Sequence, residues 1–238
     1  KVLAFHFRRM LKHEPGTREG SDIEALHDMR VATRRMRAAF RVFGRFFQRS
    51  AIRKHRRGLR QTAAMLGAVR DLDVLIARME LYLAPLSDED RSALEPLLNT
   101  WHKQRMAARA AMLDYLDSKL YRRFVRRFRR FLETPGAGVV PPPDDEVVPV
   151  QVRHVAPEQI WQRYACVRAY ETVLPSDDDP EAMLRVPIET LHALRIDCKR
   201  LRYTLEFFRE VLPPEAEPLI SQVVQVQDHL GDLHDADV

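Results

Sequence analysis

Ile23-Glu24-Ala25-Leu26-His27-Asp28-Met29-Arg30 returns 165 positions later as Ile188-Glu189-Thr190-Leu191-His192-Ala193-Leu194-Arg195. The match runs on in step, with Arg34 on Lys199, Arg35 on Arg200, Arg37 on Arg202 and Phe43 on Phe208. One residue out of step, Leu66-Gly67 and Asp71-x-Asp73-Val74 fall on Leu230-Gly231 and Asp235-x-Asp237-Val238. A chain built twice from one unit keeps its fold if the apolar positions persist. Here charged positions persist too, as His-x-x-Arg-x-x-x-(Arg/Lys)-Arg-x-Arg, and that asks for a chemical reason.

Each copy of the motif reads as a helix with two distinct faces. At about 100° per residue, Arg30, Arg34, Arg37 and Arg41 fall within about 60° of one another beside His27, while Met29, Ala32, Met36, Ala39, Phe40 and Phe43 lie nearly opposite. The second copy sets His192, Arg195, Lys199 and Arg202 against Leu194, Leu201, Leu205 and Phe208, with Glu206 where Arg41 stood. Like charges at i,i+4 repel by a few tenths of a kcal/mol per pair, so such a row is not selected for helix stability. A solvated face is the ordinary meaning of a charged stripe. The near absence of acids, the preference for Arg over Lys and the recurrence in both copies argue instead for anion binding, because the guanidinium fork grips phosphate oxygens in pairs and stays charged. Two such stripes facing each other would line a basic groove that focuses potential on a linear polyanion.

The rest of the chain fits an all-α protein. Glycine is scarce, period-two alternation is almost absent, and Ala/Leu/Arg/Met-rich stretches carry apolar residues three and four apart. The spacing predicts helices over Lys1–His13, Ile23–Phe47, Ala51–Leu83, Asp88–Leu116, Ser118–Leu132, Pro157–Val173, Val186–Leu212 and Glu215–Val238. Breaks are expected at Pro15-Gly16 and Pro85, an N-cap at Ser87 or Asp88, and a loop over Asp177–Pro180. The organisation expected is one domain over 1–238: repeat 1 over 1–133, a Pro/Gly-rich linker over 134–150, and repeat 2 over 151–238. The first copy continues from Val74 to Glu133, whereas the second stops at the equivalent position, Val238. Two helices' worth of sequence is missing, so repeat 2 is expected to be truncated at its C-terminal end, the native protein either extending further or carrying a disordered tail.

With 238 residues and a formal charge of +5, the chain can bury a core and carries a basic surface. The asymmetry is local: Ala25 to Gln61 holds twelve Lys/Arg against one acid, Asp28, while acids gather at Asp144-Asp145-Glu146 and Asp177-Asp178-Asp179. Two cysteines outside any Cys-x-x-Cys pair suggest neither a disulfide framework nor a thiolate zinc site. No secretory signal and no apolar run of about 18 residues is seen, so a cytoplasmic protein without membrane association is expected. Tyr121 to Phe131 interleaves aromatic and basic residues, but Tyr121, Phe124, Phe128 and Phe131 have core spacing. That segment reads as a packed aromatic face with a solvated basic back rather than a base-stacking strip. His229, His234, Asp235 and Asp237 suggest a metal site less well than pairing of the Asp residues with arginine. No nucleophile with a base partner and no phosphate-binding glycine loop is visible, so no catalysis, cofactor or metal is expected.

The run Leu26-His27-Asp28-Met29-Arg30-Val31-Ala32-Thr33-Arg34-Arg35-Met36-Arg37, followed by Leu66-Gly67-Ala68-Val69-Arg70-Asp71-Leu72-Asp73-Val74, resembles the CHAD family, the conserved-histidine α-helical domains. His13 to Arg18 resembles the stretch that precedes the first histidine helix in that family. The resemblance implies two pseudo-symmetric four-helix bundles with a basic central surface that binds inorganic polyphosphate. It implies prokaryotic members, alone or fused to triphosphatase-like domains, some of them on polyphosphate or polyhydroxyalkanoate granules. Matched to the motif, the binding positions are His27, Arg30, Arg34, Arg35, Arg37, His192, Arg195, Lys199, Arg200 and Arg202, to which the stripe adds Arg41. The histidines either touch phosphate or make an interhelical hydrogen bond. Two rivals stand beside non-catalytic polyphosphate binding. A metal-dependent or histidine-phosphorylating enzyme needs carboxylates converging on His27 and His192. A general nucleic-acid binder needs exposed aromatics or a base-reading helix, and nucleic acid is expected only as a weaker competitor.

Overall fold

Asp22 opens the first histidine helix: its carboxylate accepts the Glu24 amide at 2.8 Å, satisfying a donor that the first helical turn leaves over. In the computed structural model, which describes residues 1–141, 151–175 and 185–236 (backbone alone from 232), that helix is one of eight α-helices among the described residues. They are α1 (Val2–Glu19), α2 (Ile23–Val42), α3 (Arg49–Leu83), α4 (Asp88–Asp117), α5 (Lys119–Glu133), α6 (Val152–Arg168), α7 (Ile188–Phe208) and α8 (Ala216–Ala236). Short 3-10 turns follow α2, α6 and α7. The only extended pairing among the described residues is an isolated bridge, Phe47 to Val139. The fold is all-α.

Chain contacts divide the molecule into Lys1–Val140 and Pro141–Val238. In the first unit the predicted apolar side of α2 is buried except for Phe43, which is half-buried just past the helix end: Ala39 is fully buried, and Met29, Ala32, Met36 and Phe40 join Phe7 and Met10 of α1, Ile52, Leu59 and Leu66 of α3, Met112 and Leu116 of α4, and Phe124 and Phe128 of α5. In the second unit Leu194, Cys198 and Leu230 form one cluster and Leu201, Leu205 and Ile220 another, joining α7 to α8 with Val167 of α6 against both. The segment Thr134–Val140, read as linker from its composition, belongs to the first unit. The Gln48 amide donates to the Gly138 carbonyl and the Val140 amide to the Phe46 carbonyl, which clasps it to the turn between α2 and α3. Residues 142–150 and the expected loop Asp177–Pro180 lie outside the described residues.

Three helices depart most from the periodicity: the expected helix Pro157–Val173 is observed as Val152–Arg168, with Pro157 in its first two turns, and α1 and α2 end elsewhere than expected. α1 runs through Pro15-Gly16 to Glu19. The proline forfeits one backbone hydrogen bond, but its ring is on the exposed side, and Gly16 lets α2 approach so closely that an added Cβ would stand 2.8 Å from Ala25 Cβ. Arg109 of α4 then holds the helix end, donating to the carbonyls of Thr17, Arg18 and Glu19 at 3.2, 2.7 and 2.8 Å. Gly20 closes it at φ 77°, where an added Cβ would stand 2.4 Å from that guanidinium, so a side chain there is strained by the backbone and would displace the Arg109 cap. The predicted helix Ile23–Phe47 ends instead at Val42, where the backbone tightens into Gly44–Phe46 and turns into α3. Ser87 caps α4 as expected, accepting the Asp90 amide at 3.2 Å, and Ser118 caps α5.

Candidate functional site

α2 and α3 are joined by a short turn and run antiparallel, so the polar side of α2 faces along one side of α3. Arg30 lies over Gly67 of α3: a Cβ at that glycine would be 3.8 Å from Arg30 Nε. Its Nη2 donates to Asp71 Oδ1 at 3.0 Å. The missing side chain makes a shelf, and the carboxylate one turn on fixes the fork. Seven and eleven positions after Arg30 stand Arg37 and Arg41, both exposed. Seven and eleven positions before Gly67 stand Arg60 and Arg56, exposed on the same face of α3. Antiparallel packing therefore brings Arg56 and Arg60 alongside the α2 stripe. Arg34 and Arg35 are half-buried, and Arg37 has no ion-pair partner among the described residues.

His27 is half-buried in this cationic setting. Burial first, then the charge of Arg70 on α3, hold its imidazole below the ordinary histidine value; Glu24 opposes them, Arg34 adds a smaller lowering effect, and Asp28 raises it least. Arg70, Arg56 and Arg60 are absent from the motif-based assignment. The signal for Arg70 is in the repeat, where His234 replaces it with another residue able to carry positive charge. Asp28, the acid next to His27 in sequence, points to α1, accepting from Arg9 at 3.1 Å and lying 3.3 Å from His13 Nε2. Asp73 is buried against Arg105 of α4. The repeated aspartates of the first copy, Asp71 and Asp73, thus serve interhelical pairing with arginine. Their counterparts Asp235 and Asp237, with His234, lie outside the described side chains.

The second unit repeats the seat of the stripe and weakens its charge. Arg195 lies over Gly231 as Arg30 lies over Gly67, with Nε and Nη2 3.7 Å from where a Cβ would stand. Its Nε is buried with no hydrogen-bond acceptor among the described residues. His192 and Lys199 are half-buried on the same helix. Arg200 donates to Asp197 at 2.7 Å, and Asp197 also accepts the Tyr170 hydroxyl at 3.1 Å. Arg202 donates to Glu206 at 2.9 Å and reaches Gln227 at 3.4 Å. The partner helix α8 contains no Lys or Arg, and neither does any position after Arg209. Arg200 and Arg202 are therefore held by acids of their own helix, whereas from Met29 to Arg70 the first copy holds no acid at all.

The interleaved segment of α5 is resolved by packing. Tyr121, Phe124 and Phe128 are buried, and Phe131 is half-buried against Phe47 and His55, so no ring of this row is free to stack on a base. No group of three or more His, Cys, Asp or Glu among the described residues is arranged to hold a metal ion. No described helix is long and apolar enough to cross a membrane.

The architecture has solved relatives. The chain is similar to the crystal structure of the CHAD domain from the plant Ricinus communis, with TM-score 0.70 and 23% sequence identity over 98% of this chain and 72% of that one. It is similar also to PptA from Streptomyces chartreusis, with TM-score 0.68 and 15% identity over 99% of this chain and 80% of that one. No curated protein matches it. At these identities the likeness speaks for the fold. Family membership rests on the sequence: the CHAD domain model matches residues 1–238, histidine motifs and glycine shelves included, and the chain belongs to the CHAD domain family.

Proposed function

We propose that this chain binds inorganic polyphosphate without catalysis, chiefly on the basic face shared by α2 and α3. The observation that carries the reading is the acid-free run from Met29 to Arg70, folded into two antiparallel helices that line up Arg30, Arg34, Arg37 and Arg41 of α2 with Arg56 and Arg60 of α3. Arg30, Arg34, Arg37, Arg41, Arg56 and Arg60 offer successive guanidinium forks to a linear phosphate chain, with His27 and Arg70 at one end. Arg195, Lys199, His192 and the acid-paired Arg200 and Arg202 give a weaker copy. Polyphosphate suits this face better than nucleic acid because the aromatic rings of α5, which base stacking would use, are packed inward. The setting that follows is the cytoplasm, on polyphosphate itself or on granules that carry it.

The test is competition. Labelled long-chain polyphosphate is titrated with the protein at physiological salt and challenged with nucleic acid of equal phosphate content. Polyphosphate is expected to resist displacement. Its affinity should fall with rising salt, by a log–log slope of about 4 if roughly six phosphates are neutralised with the coefficient of a single strand. Binding indifferent to ionic strength, or displacement by equal nucleic acid phosphate, overturns the reading. Purified protein, with or without divalent metal, is expected to release no phosphate from polyphosphate or nucleotides. Steady turnover abolished by His27→Ala would instead make it an enzyme.

A further inference from the structure

The outer face of α5 is the most densely charged surface that the α2 stripe does not account for. Arg122, Arg123, Arg126, Arg127, Arg129 and Arg130 are all exposed, and none forms an ion pair among the described residues. No acid occurs from Lys119 to Leu132. Because the aromatic side of α5 is locked into the core, the helix cannot roll to bury these arginines, and several pairs repel at i,i+3 and i,i+4. α3 adds to the field. An added Cβ on Gly58 would stand 2.2 Å from Phe124 Cδ2, so the helices touch there, and Lys54 and Arg57, exposed beside Gly58, carry α3's positive surface up to α5.

One flank of α5 is concave, a groove of about 580 Å³ that holds six cations and two acids. Both acids are already engaged: Arg18 bonds Glu14 and Asp117 at 2.9 and 2.7 Å, and the buried Tyr121 hydroxyl donates to Glu14 at 2.7 Å. The cations left with open forks are those of α5. They face a groove without exposed rings, which suits a ligand made of phosphate charge alone.

We propose that the outer face of α5, with its groove, is a second contact surface for the phosphate polymer, reached by long chains across the basic N-terminal half of α3. This rests on the reading of α2 and α3 as the primary site, and it predicts a dependence on chain length. A fraction shorter than about 30 Å when extended, the length of α2, engages the primary face alone, whereas a long fraction engages both.

The experiment compares the full chain with an Arg122→Gln/Arg126→Gln/Arg129→Gln variant against short polyphosphate, long polyphosphate and duplex DNA, with circular dichroism as the check on folding. For the variant, long-chain affinity is expected to fall about tenfold and its salt slope by about 2, with short-chain affinity unchanged. A parent that binds neither fraction overturns the α2–α3 reading and this one together. A parent that binds both, with long-chain affinity and slope unmoved in the variant, overturns the α5 surface alone. A variant that keeps long polyphosphate but loses duplex DNA would make α5 a nucleic-acid face, and that too overturns the proposal.

Discussion

His27 is held neutral by its neighbours, and a phosphate beside the ring reverses the balance. Burial, Arg70 and Arg34 keep its free-state pKa below about 6.5, while an anion in contact raises the bound-state value. Binding therefore takes up a proton between the two values. Affinity should be greatest below the free-state value, fall as pH climbs through the window, and level off above the bound-state value, with arginine contributing no change. Titrations from acidic to mildly alkaline pH check this, and His27→Gln should flatten the curve. The same depressed values act on folding. His55, packed at a tilt against Phe128 and Phe131, is lowered by burial and by Arg127. Both rings must shed their charge to fold, so the stability they allow is complete above about 6.5 and is lost as pH falls through their folded-state values. The melting temperature of free protein should drop over that interval. The histidine and its arginines were legible in the sequence because the repeat kept them in step. Arg70, Arg56 and Arg60 were not singled out, because they belong to the facing helix and join the stripe only through packing.

Glycines on α3 separate packing from binding at the scale of the element. An added Cβ on Gly58 would lie 2.2 Å from the Phe124 ring, whose face is fixed by Phe128, so Gly58→Ala should destabilise by about 1–3 kcal/mol. At Gly67 the nearest atoms are 3.8 Å away, so alanine fits and improves helix propensity. Gly67→Leu should push Arg30 off its shelf, weakening polyphosphate binding while the melting temperature changes little. Chemical denaturation and titration of the three variants distinguish the outcomes. Phe128→Ala, which empties a fully buried site where α1, α2, α3 and α5 meet, should cost about 3–5 kcal/mol. Core spacing in the sequence already placed Phe124 and Phe128 inside. The passage of α1 through Pro15 was hidden, since it depends on Gly16 meeting Ala25 and on a cap from Arg109, ninety residues or more away.

For the whole molecule, the two copies predict unequal work. Arg37→Gln/Arg41→Gln/Arg60→Gln should weaken polyphosphate binding at least tenfold, since about 1.5 kcal/mol is expected from even one charge-assisted contact. Arg200→Gln/Arg202→Gln removes residues already held by Asp197 and Glu206 and should weaken it far less. Equal losses would show that the second copy sheds its acids on binding. The sequence by itself determined the all-α class, the family, the repeat and the row of arginines on one helix, because each of these is a matter of period and spacing along a single chain. Only the tertiary structure decided which cations gather around that row and which are spent on acids. Those outcomes depend on residues far apart in sequence meeting across a helix interface: Arg30 on its glycine shelf beside Asp71, Arg70 beside His27, Arg105 on Asp73. A helical period states which way a side chain points, and only packing states what it meets.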